Sequence, residues 1–212
     1  MSILTLFVVI PVLMLLGLWL SRSLNQVRGV MVVGSTCLLA LSVWLTFAFL
    51  QMRDAGDTDA MLFQYTVDWF KPLHIAYAIG VDGISVVMLL LSSIIVFTGT
   101  FASWQLKPLT KEYFLWFTLL SIGVYGFFIS IDLFTMFMFY EVALIPMYLL
   151  IGVWGSGKKE YSAMKLTLML MGGSALLIIG IIGIYFFSGG TTMNILELQA
   201  LHNIPESVQK VL

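Results

Sequence analysis

Charged residues are scarce in this sequence. Asp, Glu, Lys and Arg together make up 10% of the 212 residues, whereas a soluble globular domain carries about a quarter. This deficit nearly excludes a water-soluble domain of the same length. The formal net charge of −1 leaves no basic surface, so a nucleic-acid-binding protein is excluded as well.

Residues that could hold a redox centre are equally scarce. The sequence contains one cysteine, Cys37, which cannot form an internal disulfide, and two histidines, His74 and His202. One cysteine and two histidines cannot hold an iron–sulfur cluster. Ligation of a haem by both histidines would require them to meet, and they fall in different polar connections. We therefore predict that this chain has no redox cofactor of its own.

What the sequence does contain is long uncharged runs. A helix that crosses a bilayer needs about 20 mostly apolar residues, and six runs satisfy this length, one of them interrupted only by Glu141. The sequence thus predicts an all-α membrane protein in which residues 1–212 form a single transmembrane helical domain. The predicted spans are 3–20, 30–50, 84–104, 113–130, 133–154 and 165–187.

The long connection at residues 51–83 has a different pattern. Phe63, Tyr65, Val67 and Trp69 alternate with more polar neighbours, and a second alternation follows the Pro72 turn. Alternation with a period of two on both sides of a turn predicts a short β-hairpin, although an interfacial loop can also be rich in Trp and Tyr. Residues 188–212 are expected to form a tail on the same side of the membrane.

The Lys and Arg residues predict the orientation. The connections on one side carry seven of them and those on the opposite side carry three, so the first side is cytoplasmic by the positive-inside rule. The amino terminus and residues 51–83 then face the periplasm of a bacterial inner membrane. The seven are Arg22, Arg28, Lys107, Lys111, Lys158, Lys159 and Lys165, and the three are Arg53, Lys71 and Lys210.

Glu141 is the main candidate for chemistry. It lies eight positions into the fifth predicted span, about 12 Å from the outer end at 1.5 Å per residue. A carboxylate at this depth is costly and indicates a functional site by default. We interpret Glu141 as a proton-transfer or ion-path residue; the alternative is a structural hydrogen bond between helices, which a glutamine would provide without the cost of a charge.

Three further features of the sequence are interpreted from their positions in the predicted spans. Lys165, at the cytoplasmic start of the sixth span, either extends to the headgroups or lines an aqueous entry. Asp132, at the outer turn before the fifth span, is expected to be a solvated helix cap. Gly173, Gly180 and Gly183 are spaced to share one helix face, which a neighbouring helix could approach closely.

A glycine-rich run from Gly152 to Lys159 nearly matches a nucleotide-binding loop. Lys159 occupies the position where that motif needs Ser or Thr to hold magnesium, and the run follows a membrane helix rather than a buried strand. We therefore interpret its glycines as the end of a helix and a turn.

Several segments resemble the antiporter-like membrane subunits of respiratory complex I. The segment from Gly80 to Ser85, before the third span, has this similarity. Three others are most similar to chain M, namely Phe139–Met147, Gly152–Gly155 and Tyr161–Lys165. The first of them contains Tyr140-Glu141-Val142, at a place where chain L has Trp-Glu-Gly.

The resemblance implies a proton-translocating subunit of NADH:quinone oxidoreductase, in contact with other membrane-arm subunits. NADH, flavin, iron–sulfur clusters and quinone would be bound by those partners. It assigns proton transfer to Glu141 and, less directly, a place on the proton path to Lys165. This chain corresponds to the first six helices of a roughly fourteen-helix fold, and its end resembles a cut before a seventh helix. The alternatives are a subunit of a Mrp-type cation/proton antiporter and a membrane scaffold subunit without transport.

Overall fold

The structure, a computed structural model, describes residues 2–56, 59–70, 74–190 and 192–200. A short 3-10 turn precedes six long helices and a two-stranded sheet, and a short helix ends the described chain. In order, the elements are α1 (Leu6–Leu20), α2 (Leu24–Asp54), β1 (Leu62–Phe70), β2 (Ile75–Val81), α3 (Gly83–Ala102), α4 (Thr110–Ile129), α5 (Leu133–Trp154), α6 (Lys159–Phe187) and α7 (Ile195–Ala200).

Six helices of the described chain are long and apolar enough to cross a membrane, which confirms the predicted fold class. Two of them begin six residues before the predicted spans. The helix α2 starts at Leu24 because Ser23 and Gln26 form a capping box, each side chain bonding the other's backbone. The helix α6 starts at Lys159, six residues before the predicted position. Hydropathy marks the apolar part of a helix, and these helices continue into polar sequence.

The predicted β-hairpin is present. The strands β1 and β2 are antiparallel, with Tyr65 opposite Ile79 and Val67 opposite Tyr77. The pairing continues beyond β2, because the Ile131 amide donates to the Ala78 carbonyl over 2.9 Å and the Ile195 amide donates to Ile131 over 3.0 Å. This layer joins the hairpin to the outer ends of the helices. The predicted turn at residues 71–73 lies outside the described residues, as do residues 201–212 with His202.

The helices α1 to α4 form the packed core of the bundle. The ring of Phe7 in α1 lies 5.6 Å from that of Tyr125 in α4, and both side chains are fully buried. The helix α5 packs on α4 and α6 packs on α5, with no more distant helix of the described chain behind α6. Consequently α6 buries few of its residues, namely Ala163, Ser174 and Ile181.

The close helix approach predicted for α6 is not found at Gly173 and Gly180, two of the three glycines of the predicted face. A Cβ atom built on Gly172, Gly173 or Gly180 would meet nothing within 4 Å among the described residues. The close approach occurs on α4 instead, where a Cβ on Gly123 would lie 2.8 Å from the Phe139 carbonyl oxygen and one on Gly126 would collide with the Phe139 ring. The spacing of glycines therefore identified a helix face made of small residues, but it did not show whether another helix packs on that face.

Candidate functional site

The contact between α4 and α5 sets the orientation of α5. Gly123 and Gly126 present bare backbone to Phe139 and Ala143, so the two helices approach closely along this face. Successive residues of an α-helix are rotated by about 100°. Glu141 is two residues from both contacts, so it lies on the side of α5 away from α4.

The face of α5 that carries Glu141 is largely uncovered in this chain. Met138, Ile145 and Tyr148 lie near Glu141 in the same angular range, and their side chains are 39%, 63% and 41% exposed. Pro146, five residues after Glu141, is buried inside the helix, where it removes one backbone hydrogen bond of the preceding turn. The Glu141 face is thus apolar around a single carboxylate.

The Glu141 carboxylate itself is partly buried. Its Oε1 atom is inaccessible and has no hydrogen-bond partner among the described residues. Buried polar atoms in proteins are nearly always hydrogen-bonded, and an exception needs an explanation. Glu141 is eight positions from the start of a 22-residue helix, about 12 Å along its axis. An unpartnered carboxylate oxygen at this depth has the chemistry to bind and release a proton.

Lys165 lies about 9 Å from the start of α6, because the helix begins at Lys159. The first turns of α6 are polar, so Lys165 stands at the start of its apolar run. Its side chain is exposed in this chain, and the Nζ atom lies 6.0 Å from the centre of the Tyr161 ring. The structure does not bring Lys165 and Glu141 together, since no ion pair joins them.

Several basic residues of the predicted cytoplasmic face hold helix ends together. The Lys111 Nζ atom donates to the carbonyl oxygens of Trp19 at 3.1 Å and Ser21 at 2.7 Å, which caps the end of α1. The Arg28 guanidinium donates to the Trp104 carbonyl over 2.8 Å and lies 5.0 Å from the centre of its ring. These two side chains have structural roles, whereas Arg22 and Lys158 are exposed.

Asp132 differs from its prediction. It caps α5 as expected, because its Oδ1 atom accepts from the Thr135 amide at 2.8 Å, but it is buried, with 1% of its surface exposed. The hairpin covers it: Oδ2 accepts from the Ala76 amide at 3.5 Å. Burial raises the pKa of Asp132 above its ordinary value, and the hydrogen bonds from Thr135 and Ala76 oppose that rise.

A polar cavity of about 390 Å³ lies beside Asp132 at the predicted outer face. Side chains of the hairpin and of α7 line it together with Asp132, and they include Asp68, His74 and Glu197. Among the described residues, no three His, Cys, Asp or Glu side chains are placed so that they could hold a metal ion together. Sequence reasoning missed this cavity because its walls come from three distant segments.

The glycine-rich run after α5 has the structure that was predicted for it. Gly155 follows the last residue of α5, and Gly157 adopts a positive φ of 67°, a conformation that glycine adopts readily. Lys159 donates to the Val153 carbonyl over 2.7 Å. The run is therefore a helix end and a turn.

Known proteins resemble this chain in sequence. The family described as "NADH:quinone oxidoreductase/Mrp antiporter, TM" matches residues 130–212, a region that contains Asp132, Glu141 and Lys165. NADH-quinone oxidoreductase subunit M of Rhodobacter capsulatus is 34% identical over 123 residues, covering 58% of this chain and 24% of the relative. Chloroplastic NAD(P)H-quinone oxidoreductase chain 4 of Lemna minor is 36% identical over 165 residues, covering 74% and 31%.

Solved structures share the fold. The membrane-bound sulfane sulfur reductase, an archaeal respiratory membrane complex, superposes over 100% of this chain and 42% of its own with a TM-score of 0.78 at 22% identity. Complex I from Thermus thermophilus superposes over 93% and 39%, also with a TM-score of 0.78, at 21% identity. The Mrp complex from Dietzia sp. superposes over 92% and 20%, with a TM-score of 0.69 at 17% identity.

The coverage of the relatives is partial. The chain spans about a quarter to a third of the length of the curated relatives it matches, 24% and 31% for the two above.

Proposed function

We propose that this chain belongs to the membrane arm of a proton-translocating NADH:quinone oxidoreductase, because it is similar to subunit M and chain 4 of NADH-quinone oxidoreductases. In this proposal it couples electron transfer in other subunits to proton transfer across the membrane. Glu141 is the residue that takes up and releases the proton.

The observation that carries the proposal is the unpartnered Oε1 atom of Glu141 at membrane depth. Ionised side chains are costly there, roughly 3 kcal/mol or more at the centre of a membrane helix. A carboxylate without a fixed partner changes its protonation when a neighbouring charge moves, because one pKa unit corresponds to only about 1.4 kcal/mol. A carboxylate held in a permanent ion pair would respond less.

The uncovered face of α5 supports a partner for Glu141 outside this chain. Met138, Ile145 and Tyr148 leave the surroundings of Glu141 open, and the relatives are about three to four times longer than the matched part. We expect the charge that controls Glu141 to come from a helix that packs on this face. Lys165 stays in the proposal as a second position on the proton path, because it lies about 9 Å into α6.

The remaining chemistry belongs to partner subunits in this proposal. NADH, flavin, iron–sulfur clusters and quinone are bound there, and this chain contributes no ligand to them. The surrounding partners are the lipid bilayer and other membrane-arm subunits. The seven-to-three distribution of Lys and Arg supports an amino terminus in the periplasm of a bacterial inner membrane.

A Mrp-type cation/proton antiporter is the second candidate. Its support is the superposition on the Mrp complex with a TM-score of 0.69 and the family description, which covers both groups. Flavin and iron–sulfur absorbance in the detergent-purified complex favours the oxidoreductase, whereas Na⁺-driven proton exchange without NADH oxidation favours the antiporter.

Replacing Glu141 tests the proposal. We expect Glu141→Gln in the full-length subunit to lower proton pumping and coupled NADH:quinone turnover by about 100-fold, the lower end of what a positioned proton-transfer group contributes. Glu141→Asp should retain part of both activities. Oxidation of NADH by a water-soluble acceptor should be unchanged, because that chemistry takes place in other subunits.

The measurement is formation of a pH gradient in inverted membrane vesicles, with the amount of assembled complex determined on native gels. Glu112→Gln is the matched control, because Glu112 is exposed in the first turn of α4. Wild-type pumping by an assembled Glu141→Gln complex would leave Glu141 a structural hydrogen-bonding group, as in the scaffold alternative.

A further inference from the structure

A second carboxylate at the start of α5 has no role in the proposed function. Two aspartates cap helices at the predicted outer face: Asp82 caps α3 and Asp132 caps α5, each by accepting the amide of the residue three positions later. Asp82 remains partly exposed, whereas the Asp132 side chain is 1% exposed. A helix cap does not require burial, so capping alone does not explain the position of Asp132.

The two oxygens of Asp132 are held unequally. Oδ1 accepts from the Thr135 amide at 2.8 Å, a normal hydrogen bond, whereas Oδ2 is 3.5 Å from the Ala76 amide, at the outer limit for such a bond. A carboxylate can accept about four hydrogen bonds. The Thr135 side chain and the Phe134 backbone also hydrogen-bond to the carboxylate and lower its pKa. Oδ2, with its long hydrogen bond to Ala76, is the oxygen that can take up a proton from water in the adjacent cavity.

Burial favours a protonated Asp132, and the cavity beside it holds other titratable groups. Asp68 from β1 and Glu197 from α7 are the other carboxylates of its lining, and His74, which precedes β2, is the third titratable group. The segment before α7 contributes the uncharged Thr192 and Asn194. No described Lys or Arg lines the cavity, and burial opposes ionisation of Asp132. The raised pKa of Asp132 agrees with this arrangement.

We propose that Asp132 is the outer proton-transfer residue of this chain and exchanges protons with periplasmic water through the cavity between the hairpin and α7. This inference rests on the proposed function. In the step, ionised Asp132 takes a proton from hydronium in the cavity, an O–H bond forms on the carboxyl group and one water is left. The reverse step returns the proton to water.

Asp132 and Glu141 are separate positions on one helix. Nine residues separate them, which corresponds to about 13.5 Å along α5. A proton cannot cross that distance in one transfer, so water must connect the two groups. Asp132 then controls exchange with the outside, and Glu141 controls transfer within the membrane.

The test replaces each aspartate cap by asparagine in the full-length subunit of the assembled complex. Asn caps helices as well as Asp does, so Asp132→Asn keeps the cap and removes the titration, and Asp82→Asn is the matched control. Asp132→Ser is a second variant that preserves the cap, used if Asp132→Asn lowers the content of assembled complex. The first readout is the infrared carbonyl band of protonated carboxyl groups as a function of pH.

We expect a band that titrates above the ordinary range of aspartate, that is lost in Asp132→Asn and that remains in Asp82→Asn. The second readout is proton release at the outer face of reconstituted complex. We expect it to fall by about 100-fold in Asp132→Asn and to stay near the wild-type rate in Asp82→Asn.

The inference is overturned if Asp132→Asn changes no carboxyl band, or if it releases protons at the wild-type rate. Failure of the proposed function is read separately, from wild-type pumping by Glu141→Gln. Wild-type proton release by Asp132→Asn together with lost pumping in Glu141→Gln rejects Asp132 alone.

Discussion

Glu141 and Asp132, two carboxylates of α5, show that the burial of a side chain does not follow from its depth in the membrane. Glu141 lies within the apolar part of α5, yet its side chain is only partly buried, because the face that carries it is uncovered. Asp132 lies at the end of the helix, yet the hairpin covers it almost completely. The environment of each group depends on the elements around it and not on its distance from the membrane surface.

Lys165 provides a prediction at the same scale. Lys165 stands where the polar start of α6 gives way to its apolar run, and its charge acts on any nearby proton carrier. We expect Lys165→Gln to lower proton pumping about tenfold, which corresponds to roughly 1.4 kcal/mol of lost charge interaction. The rate is measured in inverted vesicles containing equal amounts of assembled complex.

Lys158→Gln is the control for Lys165, because Lys158 is exposed in the turn before α6. Equal rates for the two variants would assign Lys165 to simple extension toward the headgroups.

At the scale of elements, the approach of α4 and α5 determines which way Glu141 points. The missing side chains of Gly123 and Gly126 allow Phe139 and Ala143 to contact the α4 backbone. Any shift of this contact rotates or displaces α5. The hairpin holds the other end of the same helix, since the Thr135 hydroxyl donates to the Ala76 carbonyl at 3.0 Å.

The glycine contact can be tested by adding one methyl group. We expect Gly126→Ala to lower the free energy of unfolding by about 2 kcal/mol, because the new Cβ collides with the Phe139 ring and an overpacked core typically costs 1–3 kcal/mol. Unfolding of the 212-residue chain in detergent micelles, followed by circular dichroism during titration with sodium dodecyl sulfate, measures the change.

Gly172→Ala is the matched control, since nothing lies within 4 Å of the Cβ position there. Its free energy of unfolding should be unchanged or raised by up to about 1 kcal/mol, because Ala favours helix more than Gly does. Equal free energies of unfolding for the two variants would show that α4 and α5 move apart to accept the methyl group without loss of stability.

At the scale of the whole molecule, the bundle is asymmetric. The helices α1 to α4 enclose the buried core, while α5 and α6 extend from one side and leave broad apolar faces uncovered. The chain spans about a third or less of its curated relatives, and we expect further membrane helices to pack on these faces. The proposed proton-transfer residues Glu141 and Lys165 lie on these two exposed helices.

The orientation of the bundle is the prediction at this scale. We expect Ala60→Cys to react with a membrane-impermeant maleimide added from the periplasm and Ser156→Cys to be protected, both in a Cys37→Ala background. The reason is the excess of Lys and Arg on the side of Ser156. Reaction of Ser156→Cys alone would show that the orientation is inverted. Both positions are exposed in the connections between helices.

The features that could be predicted from the sequence are those that depend on neighbouring residues. Six apolar helices, the hairpin and the helix end at Gly155 follow from hydropathy, alternation and glycine within short windows. Glu141 stands out for the same reason, as the only charge within a long apolar run. The prediction was less accurate at helix starts, since α6 begins six residues before the apolar run does.

The tertiary structure decided everything that depends on which elements meet. The contact of α4 glycines with α5, the uncovered glycines of α6 and the buried state of Asp132 could not be read from local patterns. Asp132 and Asp82 are equivalent as caps in the sequence, and only the hairpin folding over one of them makes their carboxyl groups differ. Burial results from contacts between residues far apart in the chain, and the local sequence around a residue does not show which distant residues contact it.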